Sequence, residues 1–188
     1  MSPRSHHRRS YNEIGHAHEL TWSCYHRHPF LSKERTCLWL VEAINQARRE
    51  LEFDVWAYVI MPEHVHLIIR PRHRQYQIAA ILQAIKEPCG RQALAWLEQH
   101  APDWLPKVSV QKGGRLRRYF WQTGGGYDRN IVDPETLLRM MDYVHLNPVR
   151  RGLAERSADY RWSSARWYDL EQPGDLQIDP IPKEWLPG

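Results

Sequence analysis

No stretch of this 188-residue chain approaches the ~20 apolar residues that cross a bilayer, so no membrane span is expected. Cysteine is scarce. Cys24, Cys37 and Cys89 are scattered and odd in number, which excludes a Cys-x-x-Cys zinc pattern and a disulfide framework and points to reduced thiols. The basic opening, MSPRSHHRRS, lacks the apolar stretch of a signal peptide, and a cytoplasmic location is expected. A Gly-x-x-x-x-Gly-Lys phosphate loop is also missing; TGGGYDR has neither the lysine nor a following helix start. There are no internal repeats.

Aromatic residues, in contrast, are plentiful. Nine Trp and nine Tyr within a 42% hydrophobic composition indicate a folded chain. Lys and Arg outnumber Asp and Glu by 26 to 22, the net charge is +4, and the pI is about 9.0. That balance leans toward a polyanionic partner, though weakly.

The chain divides into a basic arm (1–17), one domain (18–168) and an acidic, proline-rich tail (169–188). ELTWSCYH (19–26) reads as a strand that ends near Pro29. Ser32 is placed to cap a helix whose apolar residues, Leu38, Val41, Ile44 and Leu51, recur at helical spacing. FDVWAYVIM and HVHLIIR, separated by Pro62 and Glu63, read as a hairpin. A helix is expected from Gln77 to about His100, kinked or broken at Pro88. The basic segment PDWLPKVSVQKGGRLRR reads as loop, and RRYFWQTGGGYDRNI as a fourth strand running into glycines. Asp133 and Pro134 open a last helix that ends at Pro148. Interleaved helices and antiparallel strands predict an α+β sandwich.

Within the hairpin, YVIMPEHVHLIIRP places His64 and His66 two residues apart. In a strand they share one face, about 6.5–7 Å apart at the backbone, and can converge on one ion, while Val65, Leu67 and Ile69 anchor the other face. Two hydrogen-bonded histidines on a half-exposed strand would give the same spacing. His16-Ala-His18 and His26-Arg-His28 lack an apolar strand to fix them: the first lies at the edge of the arm, the second beside Pro29. DYVHLNPV places Tyr143 and Asn147 on one helix face. Asn147 offers a neutral oxygen suited to Mg²⁺ or Mn²⁺, and Tyr143 a phenol able to act as a nucleophile. Packing and helix-ending roles are the ordinary alternatives for both.

WAYVIMPEHVHLIIRP, FWQTGGGYDRNIVDPETLLRMMDYVHLNPVRRGL and YRWSSARWY together resemble the single-tyrosine HUH transposases, most closely the REP-associated tyrosine transposases, over about residues 18 to 168. The resemblance implies a ferredoxin-like or RRM-like sandwich: an antiparallel sheet of about four strands, helices on one face and a C-terminal tyrosine-bearing helix. It implies that His64 and His66 bind a divalent metal, Mg²⁺ or Mn²⁺, with Asn147 as a further ligand or phosphate-positioning group, and that Tyr143 is the nucleophile. The implied activity is cleavage and rejoining of hairpin-containing single-stranded DNA through a 5′-phosphotyrosine link.

Arg115, Arg117 and Arg118, Arg150 and Arg151, with Lys86 and Arg70, are candidates to grip phosphates. Tyr127 and Tyr119 are rival nucleophiles, and Tyr127 can instead pack or position the tyrosine helix. Two other readings fit the same fold: a non-catalytic single-strand-binding module, and a metal-dependent phosphodiesterase that uses water. The short link IVDP leaves little slack for exchanging the tyrosine helix between subunits, so a monomer is expected over a homodimer.

Overall fold

The computed structural model describes residues 12–186; most of the basic arm, residues 1–11, lies outside the described residues. In chain order the elements are β1 (Ala17–Ser23), α1 (Glu34–Leu51), β2 (Phe53–Ile60), β3 (His64–Pro71), α2 (Ile78–His100), α3 (Leu105–Val108), β4 (Ser109–Lys112), β5 (Arg115–Arg118), β6 (Tyr127–Ile131), α4 (Pro134–Arg150) and α5 (Ala165–Leu170). Four strands form one antiparallel sheet in the order β2-β3-β1-β6. This is the expected α+β sandwich, with β4 and β5 added as a separate ribbon. Among the described residues no helix is long and apolar enough to cross a membrane.

Alternation along the strands sorts side chains onto two faces. Leu20, Trp22, Val65, Leu67 and Ile69 meet Leu40 and Ile44 of α1 and Ile81 and Ile85 of α2. On the other face Ala17, Val59, Ile68 and Ile131 meet Leu137, Met141 and Val144 of α4. The register of β2 shifts between Val55 and Ala57, a bulge that lets Trp56 and Ala57 both join the α4 side. Each fully buried Leu, Ile or Val contributes about 1.5–3 kcal/mol, so both faces help to hold the sheet.

Several expectations are corrected. Ser32 does not cap α1; its hydroxyl donates to the Pro29 carbonyl, and Leu38 is exposed while Cys37 and Leu40 face the core. α2 runs unbroken through Pro88. Burial of Ile85, Cys89 and Ala93 outweighs the lost backbone bond, and the Trp121 indole donates to the Lys86 carbonyl in the same turn. Gly90 permits this approach: a Cβ there would lie 3.2 Å from the Trp121 ring.

The presumed loop 109–118 is the β4–β5 hairpin, turning at Gly113 and Gly114, both with positive φ. The fourth strand of the main sheet follows the glycines instead of preceding them. At Gly126 (φ 76) a Cβ would lie 2.3 Å from the Thr21 carbonyl oxygen, so only glycine lets β6 enter there. α4 continues through Pro148 to Arg150. β1 starts at Ala17, which places His18 in a strand, fully buried, rather than at the edge of an arm. The acidic tail packs along β2: Asp179 bonds both the N–H and the carbonyl of Val55, and Leu176 and Trp185 are buried.

Candidate active site

β3 delivers His64 and His66 to the α4 side of the sheet. Both rings are buried, nearly perpendicular, and 5.0 Å apart at their centroids. A carboxylate holds each at Nδ1. Glu19 lies 2.8 Å from His66 Nδ1, and the Thr21 hydroxyl, which donates to the same Glu19 oxygen at 2.5 Å, lies 2.9 Å from it. Glu63 lies 3.2 Å from His64 Nδ1. Ionised carboxylates only accept, so each ring places its N–H there and keeps a lone pair on Nε2. This is how metal-binding imidazoles are oriented.

Glu63 is itself held. Arg151, just past α4, donates to it at 2.8 Å. Burial works against the Glu63 charge, but Arg151 and His64 outweigh it and keep its carboxyl below the usual range. Burial, reinforced by the neighbouring His66, lowers His64 to about 4 against the pull of Glu63. His64 is therefore neutral near pH 7 and available as a ligand. Arg27 adds to that depression from a turn in which both His26 and Arg27 adopt positive φ.

Asp133 sets the start of α4 by accepting from the Thr136 backbone N–H at 2.8 Å. Leu137, Met141, Val144 and Pro148 are buried and fix the helix's rotation. The partly exposed Tyr143 then lies edge-on to His66, ring centroids 5.5 Å apart, with the Arg150 guanidinium 5.4 Å from its centroid. One turn on, the Asn147 side-chain N–H donates to the Tyr143 carbonyl at 2.9 Å, and its oxygen has no hydrogen-bond partner among the described residues. This juxtaposition forms within one chain.

Among the described residues no group of three His, Cys, Asp or Glu side chains could hold a metal. The donor set still fits a divalent ion of the Mg²⁺ or Mn²⁺ type. Two imidazole nitrogens are oriented by carboxylates, an amide oxygen lies on the facing helix, and such ions fill their remaining positions with water or substrate phosphate.

The seven candidate phosphate contacts do not share one place. Arg115 and Arg117 are exposed on the β4–β5 hairpin; Arg118 on the same strand is ion-paired with Glu98. Arg150 stands beside Tyr143. Arg151 is engaged by Glu63, and the Lys86 ammonium donates to the Gly124 carbonyl at 3.0 Å. Arg70, half-buried toward the far end of β3, sits over the Trp56 ring. Tyr119 packs on Tyr25. Tyr127 pairs with Thr21, which pairs with His66, so it stands in the same cross-strand row as His66, two strands away.

Sequence reasoning missed Glu19, Thr21 and Glu63. A carboxylate inside the apolar run of β1 was the available signal for Glu19, and adjacency to His64 the signal for Glu63.

The profile of the family described as "Transposase IS200 like" matches residues 14–147. A protein of Haemophilus influenzae named as a REP-associated tyrosine transposase is 24% identical over 160 residues, covering 81% of this chain and 82% of its own. A solved structure of a REP-associated tyrosine transposase bound to a REP hairpin superimposes with a TM-score of 0.64 at 19% identity, covering 94% of this chain and 93% of that one. That likeness shows the shared fold.

Proposed function

This chain belongs to the IS200-like transposase family, and from that premise we propose that it cleaves and rejoins single-stranded, hairpin-containing DNA with Tyr143 as the nucleophile. The observation that carries the reading is the Tyr143 ring against His66, itself paired with His64. The solved relative holds a REP hairpin, and hairpin DNA is carried to this chain as the substrate class.

Tyr143 Oη attacks the scissile phosphorus in line. An O–P bond to the phenol forms, the P–O3′ bond breaks, the phenolic proton departs, and the 3′ oxygen takes up a proton to leave a 3′-OH. The 5′-phosphotyrosine link conserves the phosphoester, so a second 3′-OH can attack it and rejoin DNA without ATP. His64, His66 and the Asn147 oxygen would hold Mg²⁺ or Mn²⁺. The chemistry such an ion supplies when bound is neutralisation of charge developing on the phosphate. Glu19 and Glu63 keep both Nε2 lone pairs available, and Arg150 adds a fixed positive charge beside Tyr143. Arg115 and Arg117 offer the freest phosphate contacts, which makes binding salt-sensitive.

The test is a labelled hairpin oligonucleotide, of several flanking sequences, incubated with Mg²⁺ or Mn²⁺ and run on a denaturing gel. A protein-linked DNA band that is lost in Tyr143→Phe and kept in Tyr127→Phe supports the reading. Cleavage with no such band means water is the nucleophile, and binding without cleavage means a non-catalytic module. A band lost only in Tyr127→Phe assigns the chemistry to the wrong tyrosine.

A further inference from the structure

Outside the candidate active site the chain carries an open groove of about 280 Å³ between the start of α1 and the end of α2. Trp39, Trp96, Trp104, Phe30 and Phe120 wall it. The charged side chains lining it are Lys33 and Arg35, both cationic, and no carboxylate is among the lining residues. Cations already stand on its aromatic faces: the Arg35 guanidinium lies 3.7 Å from the Trp96 ring centroid, and the Lys107 ammonium 4.1 Å from that of Trp104. Glu98, on the last turns of α2, is occupied by Arg118.

An aromatic hollow open to water and ringed by positive charge is costly to keep for packing alone. Its chemistry suits a flat, uncharged ring flanked by anions, which describes an unpaired nucleobase and its phosphates. An apolar protein segment would gain nothing from the cations.

The groove lies in the α1–α2 layer, across the sheet from α4, and one segment links it to the active site. Residues 24–32 form its rim through Phe30, which contacts both Trp104 and Phe120. The same segment backs the turn leading into His64: the Cys24 N–H donates to the Glu63 carbonyl at 2.8 Å and the Leu31 N–H to the Pro62 carbonyl at 2.9 Å.

We propose that this groove binds an unpaired base of the DNA flanking the hairpin, stacked on Trp104 and neighbouring rings, with Lys33, Arg35 and Lys107 contacting adjacent phosphates. The proposal rests on the single-stranded-DNA reading above and adds a second anchor to it, away from Tyr143.

The test uses the full chain as Tyr143→Phe, so that nothing is cut, and hairpin oligonucleotides with 2-aminopurine at successive unpaired flank positions. One position should show stacking-induced quenching. Trp104→Ala should abolish that quenching and weaken binding about tenfold or more, and Trp104→Phe should recover most of it. An oligonucleotide trimmed of that flank should bind the parent and Trp104→Ala equally.

If Trp104→Ala unfolds, as read by circular dichroism, the exposed change Lys107→Glu is the substitute, with the same flank-dependent loss expected. Equal affinity of all variants for flanked DNA overturns the groove proposal while leaving Tyr143 chemistry intact. A variant that alters only self-association also overturns it, by making the groove a protein contact. Failure of the parent to bind any hairpin overturns the function reading itself.

Discussion

His18 and His66 lie on opposite faces of the same sheet, and the contrast between them separates a histidine tied at both ring nitrogens from the one proposed as a metal ligand. Both are buried, and both have a carboxylate at Nδ1, Asp128 for His18 and Glu19 for His66, each at 2.8 Å. The difference is at the other nitrogen. His18 Nε2 lies 2.7 Å from the Tyr76 hydroxyl, which in turn donates to the Glu13 carbonyl. His66 Nε2 has no such partner among the described residues, and its ring faces Tyr143 instead. Burial and a carboxylate partner are therefore common to both; what sets the proposed ligand apart is a second ring nitrogen with no partner among the described residues, beside Tyr143.

The most severe way to break this comparison is to remove each ring. His66→Ala should lower adduct formation by at least ~100-fold while leaving the chain folded, read on the denaturing gel. His18→Ala should instead cost roughly 3 kcal/mol in urea unfolding, because Asp128 and Tyr76 lose a buried partner, with adduct formation by the folded fraction retained. The comparison collapses if His18→Ala abolishes cleavage in a protein that remains folded.

Removing the carboxylates sharpens it. Glu19→Gln should weaken Mn²⁺ binding by 10–100-fold in calorimetry, since a neutral amide replaces the charged acceptor that polarises His66. Asp128→Asn should lower stability and leave Mn²⁺ affinity unchanged. Equal Mn²⁺ affinity in Glu19→Gln would show that the charge of Glu19 plays no part in tuning His66.

Arg151 carries the same logic one step outward. It ties the end of α4 to Glu63 and so to His64. Arg151→Ala should reduce Mn²⁺ affinity by about tenfold or less, with hairpin affinity at high salt nearly unchanged. Arg117→Ala, on the exposed hairpin, should do the reverse and flatten the salt dependence of binding. A loss of salt dependence in Arg151→Ala would return Arg151 to the phosphate contacts.

How much of this was legible in the chain follows from how local each feature is. Period-two alternation put His64 and His66 on one face, Pro62 and Glu63 marked the turn, and Asp133-Pro134 marked the start of α4, because each of these depends on a few neighbours. The partnership of Glu19 and Thr21 with His66 depends on the β1–β3 register, which no local pattern encodes. Pro88 stays helical because tertiary burial outweighs a local penalty. The β4–β5 hairpin is short, exposed and basic, so hydrophobic patterning is silent, although Gly113-Gly114 between Lys112 and Arg115 was a usable turn signal. The tail's bonds from Asp179 to Val55 join residues far apart in sequence and could not be read from either end.

A third histidine supplies the smallest test and isolates the carboxylate's part. His145 bonds the Ser164 hydroxyl at 2.8 Å and, among the described residues, has no carboxylate on its ring. Burial lowers it to about 4, with Asp142 opposing weakly. In the unfolded chain its pKa returns to about 6.5, so between those values the unfolded state binds more protons and stability must rise with pH. Falling from pH 7.5 to 6, this one residue should remove about 0.8 kcal/mol, most of it below pH 6.5. His145→Gln keeps a partner for Ser164 and cannot titrate. In urea unfolding at the two pH values, its loss of stability should be smaller than that of the parent by this amount. An unchanged pH dependence would mean that the ring is already solvated, and that burial without a carboxylate does not suppress its charge.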